Sequence, residues 1–127
     1  MNEAAQAGLC VQFDEDSIVA YGGTGVGIHS DLEAAREAGF DSLVSWGTLT
    51  MLPFWELLDG VDAMRGRPRV ELKVELRKPV LAGDRVRYTM REMTDTAGRP
   101  IVELVATTER FGTVATAIAS APDREAA

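Results

Sequence analysis

The sequence predicts an α+β fold in which an antiparallel sheet wraps one long central helix. Two observations lead there. Residues 14–60 read as helices and loops, and residues 69–121 read as strands. Helices followed by a run of strands is the order of an α+β domain with an antiparallel sheet. In the second half, Val70, Leu72, Val74 and Leu76 alternate with Glu71, Lys73, Glu75 and Arg77. One apolar face and one charged face is the mark of a half-buried strand. The 127 residues suit a single domain over 1–127.

Taken in order, a short helix is expected from Glu15 to Tyr21. Ser30 followed by Glu33 has the spacing of a capping box, so a helix is expected over DLEAAREAG, with Gly39 as its C-terminal stop. A second helix is expected from Trp46 to Leu58, apolar over most of its circumference and so deeply buried, with Pro53 as a point for a kink. Strands are expected over 69–77, 85–91, 101–110 and 113–120. Val86, Tyr88 and Met90, then Val102, Leu104 and Ala106, are their inward residues. Ala82-Gly83-Asp84, Ala97-Gly98-Arg99-Pro100 and Phe111-Gly112 read as turns, and the terminal PDREAA as a frayed tail. A sheet of four or five strands leaves one flank of the helix uncovered, so pairing with a second chain is expected.

Composition excludes several classes. Twenty acids against 13 bases give a net charge of −7, which argues against a nucleic-acid binder. No apolar run approaches the roughly 18 residues of a membrane span, and the start (MNEAAQAGLC) lacks the basic residue of a signal peptide. The single Cys10 cannot form an internal disulfide, which favours a reducing, cytoplasmic setting. With His29 as the one histidine, any His chemistry must use it and a multi-His metal site is excluded. Tyr21–Asp31 holds four glycines within six residues, but neither a G-x-G-x-x-G nor a Walker spacing. The glycines leave little side-chain bulk beside His29.

On ordered motifs the chain resembles the MaoC-like family of single-hotdog hydratases and dehydratases. They are Ile28-His29-Ser30-Asp31, Ala34-Ala35, Gly39-Phe40, the Trp46-Gly47 step into the central helix, Lys78-Pro79-Val80-Leu81-Ala82-Gly83-Asp84, and Phe111-Gly112-Thr113-Val114. The resemblance implies a hotdog fold and an acyl-thioester substrate on coenzyme A or acyl carrier protein. It also implies a homodimer, or a heterodimer with another hotdog chain, and no metal or redox cofactor. In the family an Asp and a His five residues apart hold a water against the double bond of an enoyl thioester. A backbone N–H at the helix start polarises the thioester carbonyl. Carried over, His29 is the family histidine and Gly47 the oxyanion glycine.

The sequence departs from the pattern at four positions. Thr24 stands five residues before His29, where the family has Asp; Val26 and Gly27 replace its Asn and Pro; Trp46 replaces the His before the glycine. A threonine hydroxyl can hold a water but cannot take a proton near neutral pH. The expected site is therefore His29, Thr24 and Gly47, with Val26, Phe40, Trp46, Trp55 and Glu56 as substrate-binding candidates. Asp31 reads as a first-turn acid or a replacement acid. Glu56, nine residues after Gly47, is where some hotdog thioesterases carry a helix acid. The alternatives are a non-catalytic subunit of a heteromeric hydratase, or a thioesterase, isomerase or cyclase on the same scaffold. A ligand-binding module without chemistry remains as well.

Overall fold

The computed structural model describes residues 6–23, 25 and 27–122. Five antiparallel strands form one sheet in the order β1-β3-β4-β5-β2: β1 Gln6–Gln12, β2 Glu71–Leu76, β3 Arg85–Thr94, β4 Pro100–Thr108 and β5 Gly112–Ser120. The helices are α1 Glu15–Gly22, α2 Leu32–Glu37 and α3 Gly47–Leu58, with a single 3₁₀ turn at Gly27–His29. The expected strands are all present. β1 was not expected. Gly8 and Ala7 are weak strand formers, so its short apolar alternation carries little signal; the strand exists because Gln6–Gln12 pairs residue by residue with Arg85–Arg91. The register of β4 and β5 shifts between Ala106 and Thr107, a bulge beside the Phe111-Gly112 turn. Of the expected frayed tail, 123–127 lie outside the described residues.

One face of the sheet carries the core. Val86, Tyr88 and Met90 of β3, Val102, Leu104 and Ala106 of β4, and Val114, Ala115, Ala117 and Ala119 of β5 are buried there with Phe54 and Leu58 of α3. Tyr88 fixes the helix in place. Its ring meets Phe54 edge-on at 5.5 Å and 87°, and its hydroxyl donates to the Thr50 carbonyl at 2.6 Å. α3 runs through Pro53 without interruption, and Pro53 itself is buried.

Burial around the helix is one-sided. Thr50, Pro53, Phe54 and Leu58 are buried, but Leu52 is 47% and Trp55 38% exposed. The deep burial expected of the helix holds on that side only, and the uncovered flank expected of a sheet this narrow is present. The edge strand β2 also leaves Leu76 51% exposed.

The helix termini follow local chemistry. Asp14 caps α1 by accepting the Ser17 N–H at 2.8 Å, and this bond holds its carboxyl below the usual carboxylate range. α2 is capped by Asp31, which accepts from the N–H groups of Glu33 and Ala34 at 2.9 and 3.2 Å. The cap is thus one residue later than the Ser30 expected: one oxygen of Asp31 accepts both bonds, and its negative charge suits the helix N-terminus. α2 ends in a Schellman motif: Gly39, at φ +95°, donates to Arg36 O, and Phe40 donates to Ala35 O.

Burial pushes the Tyr88 phenol well above its ordinary value. The folded state therefore keeps the proton that the unfolded chain releases from about pH 10 upward, and stability from this group is lost above that pH. Tyr88→Phe should cost about 1 kcal/mol near pH 8, and the gap from the wild type should narrow above about pH 10. Urea unfolding at the two pH values measures both effects.

Candidate active site

The site is assembled by a short backbone lattice around the entry to α3. Leu43–Ser45 lies beside Val80–Ala82: Ala82 donates to Leu43 O at 2.8 Å, Ser45 donates to Val80 O at 2.7 Å, and Val44 bridges Leu81. The Lys78–Asp84 stretch noted in the sequence is thus structural. Asp84 is buried, accepts from Leu81 N at 3.0 Å and holds Arg110 Nε at 3.0 Å. Gly83 supplies the positive φ of +98° that closes the turn.

Val44 in turn holds His29. Its N–H donates to Ile28 O at 3.0 Å, and its carbonyl lies 2.7 Å from His29 Nδ1. A carbonyl can only accept. In the neutral imidazole Nδ1 therefore carries the hydrogen, and Nε2 keeps a lone pair for a proton. The ring face stacks on Trp46, with centroids 4.0 Å apart and planes inclined by 17°.

Trp46 is the residue that precedes α3. It stands at the N-cap with no side-chain cap bond, since an indole has no acceptor to offer. The first N–H groups of α3, Gly47 among them, have no intrahelical partner by helix geometry. Gly47 lines an open pocket of about 280 Å³ with Ser45, Thr50, Leu76, Arg77, Lys78, Pro79 and Val80. Ser45 and Thr50 are buried and 3.0 Å apart through their hydroxyls, and both lie 3.1 Å from Trp46 O. A Cβ on Gly47 would come within 2.6 Å of Leu76 Cδ1, the movable end of a side chain.

Of the sequence candidates, His29 and Trp46 are in contact, and Gly47 follows Trp46 as the first residue of α3. Thr24 and Val26 lie outside the described residues. Phe40 is half-buried as the residue closing the Schellman motif of α2. Trp55 and Glu56 are exposed on α3. Glu56 is nine residues beyond Gly47; at 1.5 Å and 100° per residue it lies roughly 13 Å along the axis and about half a turn round it. Asp31 is occupied by its cap. Among the described residues no group of three or more His, Cys, Asp and Glu side chains could hold a metal ion, and no helix is long and apolar enough to cross a membrane.

Sequence reasoning missed three contributors. Val44 acts through its backbone and leaves no side-chain signature. Gly22 makes room for Trp46: a Cβ there would overlap the indole at Cε2, Cζ2 and Nε1. The Gly22-Gly23 pair was its only visible sign. Tyr21 donates to Thr48 Oγ1 at 2.8 Å and so ties α1 to the first turn of α3.

No family model matches the chain, and no curated protein matches it significantly. Solved structures do match. The (R)-hydratase of A. caviae involved in PHA biosynthesis is 21% identical with a TM-score of 0.70, over 92% of this chain and 94% of that one. The MaoC-like dehydratase of Rhodospirillum rubrum is 17% identical with a TM-score of 0.68, over 93% and 91%. The truncated HadBC (3R-hydroxyacyl-ACP dehydratase) complex of Mycobacterium tuberculosis is 20% identical with a TM-score of 0.67, over 91% of each chain. The chain has the hotdog fold, an α+β architecture of five antiparallel strands and helices.

If Asp31 serves as a cap, Asp31→Ala should lower stability by about 1 kcal/mol and Asp31→Asn by only a few tenths. Chemical denaturation of the two variants measures the difference.

Proposed function

We propose that the protein is an acyl-thioester hydratase or dehydratase in which His29 is the single acid–base group and the Gly47 N–H is the oxyanion donor. The observation that carries this reading is the His29 ring, anchored through Nδ1 on Val44 O and stacked beside the uncapped start of α3. The likeness to hydratases and dehydratases supports it. In the hydration direction His29 Nε2 takes a proton from a water as its oxygen bonds to the β-carbon of the enoyl thioester. The electron pair of the double bond moves toward the thioester carbonyl, whose developing negative charge the Gly47 N–H meets. The imidazolium then returns the proton to the α-carbon. Dehydration is the reverse. Thr24 holds the water, and the carrier is coenzyme A or an acyl carrier protein. No metal or redox group enters these steps.

Purified protein with a short panel of enoyl-CoA and 3-hydroxyacyl-CoA thioesters tests this, following enoyl absorbance and free thiol together. Reversible loss of enoyl absorbance without thiol is expected. His29→Ala should reduce it by about 10² or more, and Thr24→Asp should raise it by restoring a carboxylate. Thiol release, lost in Glu56→Ala, would replace this reading with thioester hydrolysis.

A second reading has its own observation. The exposed α3 flank at Leu52 and Trp55, next to the unpaired β2 edge, is an apolar surface that a second hotdog chain fits. In the heteromeric form of this reading the partner carries the full dyad, as a separate chain. Gel filtration and co-purification decide between them: a stable, active homodimer contradicts the heteromer, and activity that appears only with a second chain supports it.

A further inference from the structure

Resting on the reading of His29 as the acid–base group, we propose that Trp46 is its positioning residue rather than a wall of the acyl pocket. The indole face holds the imidazole in the orientation that keeps Nδ1 on Val44 and Nε2 free. Two observations converge. The two rings are nearly parallel at 4.0 Å, so the imidazole takes up the indole face and both imidazole nitrogens stay on the edge. The indole is itself held from behind, because Gly22 gives it the space that any Cβ would fill. Tyr21, 6.4 Å from the indole and bonded to Thr48, fixes α1 against the same turn.

The bond to Val44 O sets the tautomer only while the ring stays in place, and rotation about Cβ–Cγ breaks it. A stacked plane opposes that rotation. Here the plane that opposes it is the face of Trp46. What Trp46 supplies is its face. Its Nε1–H is buried without a hydrogen-bond partner among the described residues.

The chain has one histidine, so ¹⁵N-NMR reads its tautomer without assignment ambiguity. The wild type above neutral pH should show one Nδ1–H form. Trp46→Phe, which keeps a face, should retain it. Trp46→Leu should show the mixed signal of an unrestrained imidazole, with kcat down about tenfold and KM within about twofold, since misplacement costs rate rather than binding. Gly22→Ala puts a good helix former at a helical position and should disturb His29 in the same direction. In the Trp46→Leu background it should add nothing. It is the probe of record if Trp46→Leu does not fold. A single Nδ1–H form in both Trp46→Leu and Gly22→Ala would overturn the proposal, because Val44 alone would then suffice. So would a rise in KM or a change of acyl preference with tautomer and kcat unchanged. If the tautomer responds as expected while the wild type turns over no thioester, the positioning role stands and the hydratase reading falls.

Discussion

The seating of the first turn of α3 governs everything at the site. Two sets of bonds hold it. From the sheet, Tyr88 donates to Thr50 O under the helix. From the side, Ser45 and Val44 join Val80 and Leu81 across a short two-stranded contact. A buried hydroxyl bond of this kind is worth about 1 kcal/mol net, but an unpaired buried carbonyl or hydroxyl costs more. The arrangement is therefore self-enforcing: moving α3 by about an ångström or more would strand several polar groups at once. His29 inherits this rigidity through Val44, and Trp46 through the helix it precedes.

Against that rigid frame the start of α3 is left open. Helix N-termini are ordinarily satisfied by Ser, Thr, Asp or Asn, as Asp14 and Asp31 do for α1 and α2. Trp46 does not do so for α3. A residue that cannot cap, followed by a glycine whose missing side chain keeps the backbone bare, leaves N–H groups open, and in the proposed function a ligand oxygen meets them. The stability forgone at one cap, typically about 1 kcal/mol, is small beside the about 3 kcal/mol an oxyanion donor contributes to a reaction. The same Trp that leaves the helix uncapped stacks on the His29 ring, so the two halves of the proposed chemistry share one residue.

The sheet was legible because charged and apolar residues alternate strictly in Val70–Arg77, polar and apolar ones in Arg85–Arg91, and more loosely in Val102–Glu109. The helices were legible in place but less so at their edges. Ser30 looked like the cap from its spacing to Glu33, yet Asp31 takes the role through two bonds. β1 was hidden because its evidence is its partner strand. The uncovered flank of α3 was legible from the narrow sheet, but which residues lie on it was not, since apolarity runs round most of the helix. At the site, His29 and Gly47 stood out as residue types. Val44 and Gly22 did not, since one acts through a carbonyl and the other through absent atoms; Trp46 was visible as a substrate-binding candidate, but not as the ring that stacks on His29.

The central claim is that His29 and the bare start of α3 face one ligand. The most direct test is titration of ¹⁵N-labelled protein with 3-hydroxybutyryl-CoA, following the Gly47 amide and the His29 ring nitrogens. A downfield shift of the Gly47 N–H together with perturbation of His29 Nε2, over one common binding curve, is the predicted result. Shifts confined to the exposed flank around Trp55 and Glu56, or to the Arg85 and Arg87 side of the sheet, with Gly47 and His29 unmoved, would contradict it.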